Sequence, residues 1–234
     1  MTAAVEIRSP EREALGQLIL SLADNKAALG RRYGEWAVSA PTLESAVAAA
    51  AMAQDELGHA RATYPLLKQL ETGGRSQVAG GRVMPVLDMD FPGWDWFVAA
   101  NLAVDGMLTT FVRACEDSAF VGLAQRARKI LQEERSHEVH ARAWARRLAR
   151  DERRRDAFAT ALGEAWWQAA RWAGPPDSEE FGALVSGGYV AGGPDALRGS
   201  LRVTIGEALE DTGLPRLALP EPHDWTAWTP EERL

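Results

Sequence analysis

Two short runs on separate stretches of this chain have the residue types of a metal site. Asp-Glu-Leu-Gly-His sets Glu56 and His59 three residues apart, and Glu-Glu-Arg-Ser-His sets Glu134 and His137 at the same spacing. Positions i and i+3 share a helix face, so each run aims a carboxylate and an imidazole the same way. Glu56 and Glu134 are 78 residues apart, and so are His59 and His137. Paired Glu-x-x-His motifs on facing helices are the pattern by which a four-helix bundle holds two metal ions in its core. One such motif in an Ala/Arg-rich helix is commonly chance. Two, using half of the chain's four histidines, form a constellation.

Two further residues fall at matching offsets. Asp105 precedes Glu134 by 29 residues, and Lys26 precedes Glu56 by 30. Antiparallel helices joined by short turns bring such positions to one level. The spacing therefore predicts two half-sites, one of Lys26, Glu56 and His59, the other of Asp105, Glu134 and His137. Carboxylates and imidazoles without thiolates suit iron or manganese. Asp105, Glu134 and His137 would bind one ion; Glu56 and Glu134 would bridge to a second, held by His59. Such a centre activates O2 while the protein positions substrate and excludes water. Asp55 and Glu133 sit about 100° around their helices. They face outward or orient the histidines.

Lys26 breaks the symmetry. A two-metal bundle calls for a carboxylate at that level, and this chain offers a cation. Glu56, Asp105, Glu134 and Lys26 together carry a net charge of −2, which balances one divalent ion rather than two. The expectation is that the Lys26 ammonium replaces the ion on the His59 side and pairs with Glu56, leaving one metal or none. Other readings are a carbamylated lysine ligand, a lysine turned away with Asp24 or water in its stead, and a plain surface lysine. For Asp105 the ordinary reading is an ion pair with an arginine such as Arg128.

The elements needed to position these groups are legible. Ser9-Pro10-Glu11 reads as a helix start, and apolar residues at helical spacing carry that helix to about Ser39. A second helix runs from about Thr42 to Glu71, with Pro65 as a kink. Its Ala-rich stretch allows close helix contact. Residues 73–92 read as a loop. Further helices are expected from Gly93 to about Ser118, Val121 to Arg150, 152 to 173 and Asp195 to Asp211, ahead of an extended Pro-rich tail. This is one all-α domain: a four-helix bundle core over about 10–150, with accessory helices and the tail over 151–234.

Composition narrows the function classes. The net charge of −7 argues against nucleic acid as the main partner. The lone cysteine, Cys115, excludes an intramolecular disulfide, suits a reducing cytoplasm, and has no activating neighbour. No 18-residue apolar run and no apolar N-terminal signal region are evident, so no membrane span is expected. The nine tryptophans read as core and subunit-contact residues, or more sharply as the lining for an aromatic substrate. The many arginines of the fourth and fifth helices read as a solvated face, with some available to a phosphate-bearing substrate. His140, one turn beyond His137, reads either as a partly exposed residue or as one that supports the site.

Five motifs together resemble the phenylacetate catabolic family, the ferritin-like subunits of phenylacetyl-CoA epoxidase. They are Gly-Glu-Trp at 34–36, Ala-Pro-Thr-Leu at 40–43, Gln-Asp-Glu-Leu-Gly-His at 54–59, Val-Asp-Gly at 104–106 and Glu-Glu-Arg-Ser-His at 133–137. The resemblance spans roughly residues 15–175 and fades beyond. It implies a ferritin-like fold. It also implies one of two subunit types. The catalytic type holds a di-iron centre and epoxidises the ring of an aromatic CoA thioester with O2 and electrons from a reductase. The structural type keeps the fold, docks the catalytic homologue and has lost much of the metal set. Glu56, His59, Asp105, Glu134 and His137 match the catalytic ligands. Lys26 stands where that type has glutamate, and Met52 where it has a site lysine. Leu-Ala-Asp-Asn at 22–25 and the run at 29–36 look more like the structural type. The leading expectation is a metal-binding monooxygenase subunit, cytoplasmic, with one or two iron ions and a homologous subunit or a second copy as partner. The alternatives are a non-catalytic structural subunit and a stand-alone ferritin-like metalloprotein.

Overall fold

The computed structural model describes residues 9–70, 83–212, 214, 219–230 and 233, and among them there is no strand. The fold is all-α, a ferritin-like bundle. Helix α1 covers Ser9–Trp36 and buries Leu15, Leu18, Ile19, Leu22 and Leu29 along one face. After a turn at Pro41, Thr42 caps α2, Leu43–Thr63, its hydroxyl accepting from the Ser45 amide at 3.2 Å. Pro65 does more than kink this helix. Residues Pro65–Gln69 form a separate short helix, α3, because proline cannot donate to the preceding turn. Much of the expected 73–92 loop lies outside the described residues. Its described end carries a single turn, α4, Pro85–Asp88.

The third bundle helix is not uniform. It begins as α5, Trp94–Ala99, widens into a π-helical segment, Ala100–Asp105, and resumes as α6, Gly106–Ala114, ending short of the expected Ser118. Helix α7, Val121–Arg150, has the expected bounds. Helix α8, Arg155–Trp172, starts slightly later than expected. The sequence reading gave no helix at α9, Glu179–Ser186, which Ser178 caps. Helix α10, Pro194–Ala208, ends about a turn early.

Helices α1 and α2 form the first hairpin and the α5–α6 helix with α7 the second. Their approach depends on small residues. A Cβ on Gly30 would meet Leu57 Cγ at 2.8 Å and the Ala53 carbonyl at 3.1 Å. Helix α8 packs on the π segment, and α10 packs on α6. One hydrophobic cluster runs from Ala14 to Ala208. By length and composition Trp94–Ala114 is apolar enough to cross a membrane, contrary to the expectation of no such run. It is the buried central helix, and apolar content follows from burial on all sides. The tail residues described are held down by contacts such as the Trp166 indole donating to the Pro220 carbonyl at 2.9 Å.

Candidate metal centre

All six residues singled out by spacing converge inside the bundle. Lys26 on α1, Glu56 and His59 on α2, Asp105 at the end of the π segment, and Glu134 and His137 on α7 are each at least 97% buried. Lys26 is neither a surface residue nor turned away. Its ammonium donates to Glu56 Oε1 at 3.0 Å, Asp105 Oδ1 at 2.6 Å and Glu134 Oε1 at 2.5 Å. It is therefore shared by all three carboxylates, and its nearest partners are Asp105 and Glu134 rather than the expected Glu56. Asp24 lies outside the site and accepts from the Tyr64 hydroxyl at 2.6 Å. Arg128 pairs with Asp117 at 3.0 Å, not with Asp105.

The two histidines differ. His137 Nδ1 lies 3.2 Å from Glu56 Oε1 and Asp105 Oδ2 and 3.3 Å from Glu134 Oε2, pointing into the carboxylate cluster. His59 Nδ1 lies 3.3 Å from Glu134 Oε1 but lacks the alignment of a hydrogen bond. The outer faces of both rings are held across the hairpins. His59 Nε2 is 2.8 Å from Glu133 Oε2 on α7, and His137 Nε2 is 3.3 Å from Asp55 Oδ2 on α2. Each carboxylate one position before a Glu-x-x-His motif thus orients the histidine of the other motif, fixing ring direction as second carboxylates do around metal-binding imidazoles.

Three participants carried no site reading in the sequence. Tyr33 donates its hydroxyl to Asp105 Oδ2 at 3.1 Å, and the Asn101 amide reaches the same oxygen at 3.3 Å. Asn101 Oδ1 is in turn 3.3 Å from His140 Nδ1, which ties His140 to the centre. The signals were present: Tyr33 is two helical turns after Lys26, and Asn101 is four residues before Asp105. The third is the π segment itself. A π turn widens the helix locally, and such bulges recur at functional sites. Gly106 follows it under α10, where an added Cβ would meet Leu201 Cδ1 at 2.8 Å.

Burial sets the electrostatics. It opposes the charged form of Lys26, but Asp105, Glu134 and Glu56 outweigh it and raise the ammonium above its ordinary range. Burial and the Asp105 charge push Glu56 up. Burial also acts against ionised Glu134, yet Lys26 and the two histidines hold it well below the usual carboxylate range. Burial lowers His59 less than Glu134 and Glu56 raise it, bringing it to about 9. His137 is raised further, against burial, by hydrogen bonds to Asp105, Glu134 and Glu56. Burial and the neighbouring His137 lower His140 to about 4.

A small cavity of about 50 Å³ between the π segment, α6, α7 and α10 reaches Asp105, Glu134 and His137. Asn101, Thr109, Ser200 and Thr204 help line it, with Arg113 and Arg142 at its rim. No aromatic side chain lines it, so the tryptophans do not form a substrate wall there. Trp166 and Trp172 are core residues, and Trp94 packs against Trp36 and Trp144. Cys115 is buried, and burial alone raises its thiol.

The model of the phenylacetic acid catabolic protein family matches residues 1–232. The chain belongs to that family. The match extends well past residue 175, where the motif resemblance fades. A search of curated proteins finds no match. In donor types, Glu56, Asp105, Glu134 and His137 could hold one metal ion, their ligand atoms lying within 4.8 Å of one another. A pair of ions does not fit the centre as arranged here. Lys26 supplies no carboxylate, and its ammonium takes an oxygen from each of the three acids that two ions would need.

Proposed function

We propose that this chain is the structural type of ferritin-like subunit in a phenylacetyl-CoA oxygenase assembly of phenylacetate catabolism, docking a catalytic homologue in the cytoplasm. The observation that supports it is the Lys26 ammonium at 2.5–3.0 Å from Glu56, Asp105 and Glu134. A protonated amine there satisfies the three carboxylates with its three N–H donors and neutralises part of their charge. The bundle core is then closed by the protein's own side chains, and the homologue carries the oxygen chemistry on the aromatic CoA thioester with electrons from a reductase.

A second reading has its own support. Glu56, Asp105, Glu134 and His137 remain a usable donor set, and Asp55 and Glu133 still orient the histidines. In this reading the chain is a metal-binding monooxygenase subunit with iron, or manganese, as its ion. The test is to purify the chain alone and with a catalytic homologue from the same family, then measure iron per chain, complex formation and phenylacetyl-CoA-dependent O2 uptake with a reductase. The structural reading expects little iron in the lone chain and a stable heteromeric complex. Iron at one or more per chain with epoxidation by the lone protein would replace it with the second reading.

A further inference from the structure

We infer that Lys26 is a built-in stand-in for a metal ion, and that the side chains around it form a one-ion site that this lysine keeps closed. The inference concerns what the cage can hold, and it stands whether or not the chain docks a homologue.

The geometry around Nζ is that of a bound cation. Three carboxylates from three different helices meet one fully buried ammonium at 2.5–3.0 Å. An ammonium has three donors and no acceptor, and here each donor finds one acid. Removing that charge while keeping the acids leaves His137 as the cation that faces all three, and a buried cluster short of positive charge favours the entry of another cation. The remaining donors surround the same point, and an ion there would displace the proton of His137 Nδ1. His137 Nδ1 is 3.2–3.3 Å from an oxygen of each acid, and the four ligand atoms lie within 4.8 Å. Ligands at about 2.0–2.2 Å from one ion lie at most ~4.4 Å apart, so a slight contraction closes the set. Glu56 Oε2 is buried without a hydrogen-bond partner, an oxygen free to turn toward an ion. The supporting contacts are in place too: Asp55 fixes the His137 ring, and Tyr33 and Asn101 hold Asp105. The cavity beside Asn101, Thr109 and Ser200 is also lined by Asp105, Glu134 and His137, which leaves space at that edge of the set.

The ligand class is a single hard or borderline divalent cation such as Mn2+, Fe2+ or Co2+, as oxygen and imidazole donors favour. Lysine and ion compete for the same oxygens, so occupancy by one excludes the other.

The experiment compares the full-length wild-type chain with Lys26→Met after chelator treatment. Mn2+ binding is read by equilibrium dialysis with elemental analysis, and Co2+ by its visible absorption. Wild type is expected to bind neither ion at the centre. Lys26→Met is expected to bind one equivalent, at least about 100-fold more tightly than wild type. Lys26→Met/Glu134→Gln is expected to lose that binding. Where Lys26→Met does not fold alone, refolding with Co2+ is the readout: one tightly held equivalent supports the inference, and failure to recover folded protein overturns it. Wild type taking up one or more equivalents overturns it directly. So does a folded Lys26→Met that binds none, an outcome that leaves the structural-subunit reading untouched.

Discussion

The two hairpins of this bundle present the same three levels to the core with one difference. The α1–α2 pair offers Lys26, Glu56 and His59; the α5–α7 pair offers Asp105, Glu134 and His137. The Glu-x-x-His motifs face each other, and each hairpin supplies the carboxylate that orients the other's histidine. At the remaining level one side carries an acid and the other a base, and the two meet at 2.6 Å. A bundle built to gather negative charge for ions thus becomes one that neutralises that charge internally. His137 faces all three acids, while His59 sits at their edge, its inner nitrogen 3.3 Å from Glu134 without an aligned hydrogen bond. The duplicated frame tolerates this because the helices set the level of each residue, and the frame does not depend on what the residue is.

The comparison breaks most visibly at its odd position. In chelator, Lys26→Met removes the cation and strands three buried acids, which should reduce stability by about 3–5 kcal/mol in urea unfolding. Asp105→Asn, at the equivalent level of the second hairpin, leaves Lys26 paired and should cost about 1–3 kcal/mol. A larger loss for Asp105→Asn would make the second hairpin the organiser.

The two charge types should also separate with pH. His59, raised to about 9, holds its proton more tightly in the folded state than in the unfolded one. Its contribution is complete below its ordinary value and is lost as pH rises through about 9. Glu134 and Asp105, held low, contribute above the ordinary carboxylate range and lose that contribution as pH falls. His137, raised further, adds a loss of the same sign over the same window, so metal-free protein should lose at least about 2 kcal/mol between weakly acidic pH and pH 9. A series of urea midpoints would detect this, and His59→Asn should make the alkaline limb shallower without abolishing it.

The glycines at the two helix contacts offer a milder test. Gly30→Ala sets a methyl against Leu57 Cγ and a backbone carbonyl, and should cost about 1–3 kcal/mol despite alanine's better helix propensity. Gly106→Ala meets the mobile end of Leu201 and should cost less than about 1.5 kcal/mol. Thermal melts of the pair would rank the contacts. Smallest of all, Glu133→Gln keeps the shape but weakens the hold on His59. Its effect should be about 0.5–1.5 kcal/mol, and the His59 titration followed by NMR should move down. An unmoved titration would deny the cross-hairpin role.

Amphipathic spacing and the repeated Glu-x-x-His offsets determined much of this protein by themselves: the all-α class, the long helices, the two hairpins and the meeting of six named side chains. Those are consequences of a fixed rise per residue, and a linear string carries them whole. Where the chain departs from a regular helix, the string was silent. The π segment at Ala100–Asp105 and helix α9 depend on packing against α8, α10 and α1, which lie distant in sequence. Residue counting placed Lys26 at the right depth but assigned it one partner. Only the packed bundle, closing apolar surface around it and bringing acids from three helices within reach, gave it three. A long flexible side chain is directed by the charges and walls it meets, and those come from elsewhere in the chain.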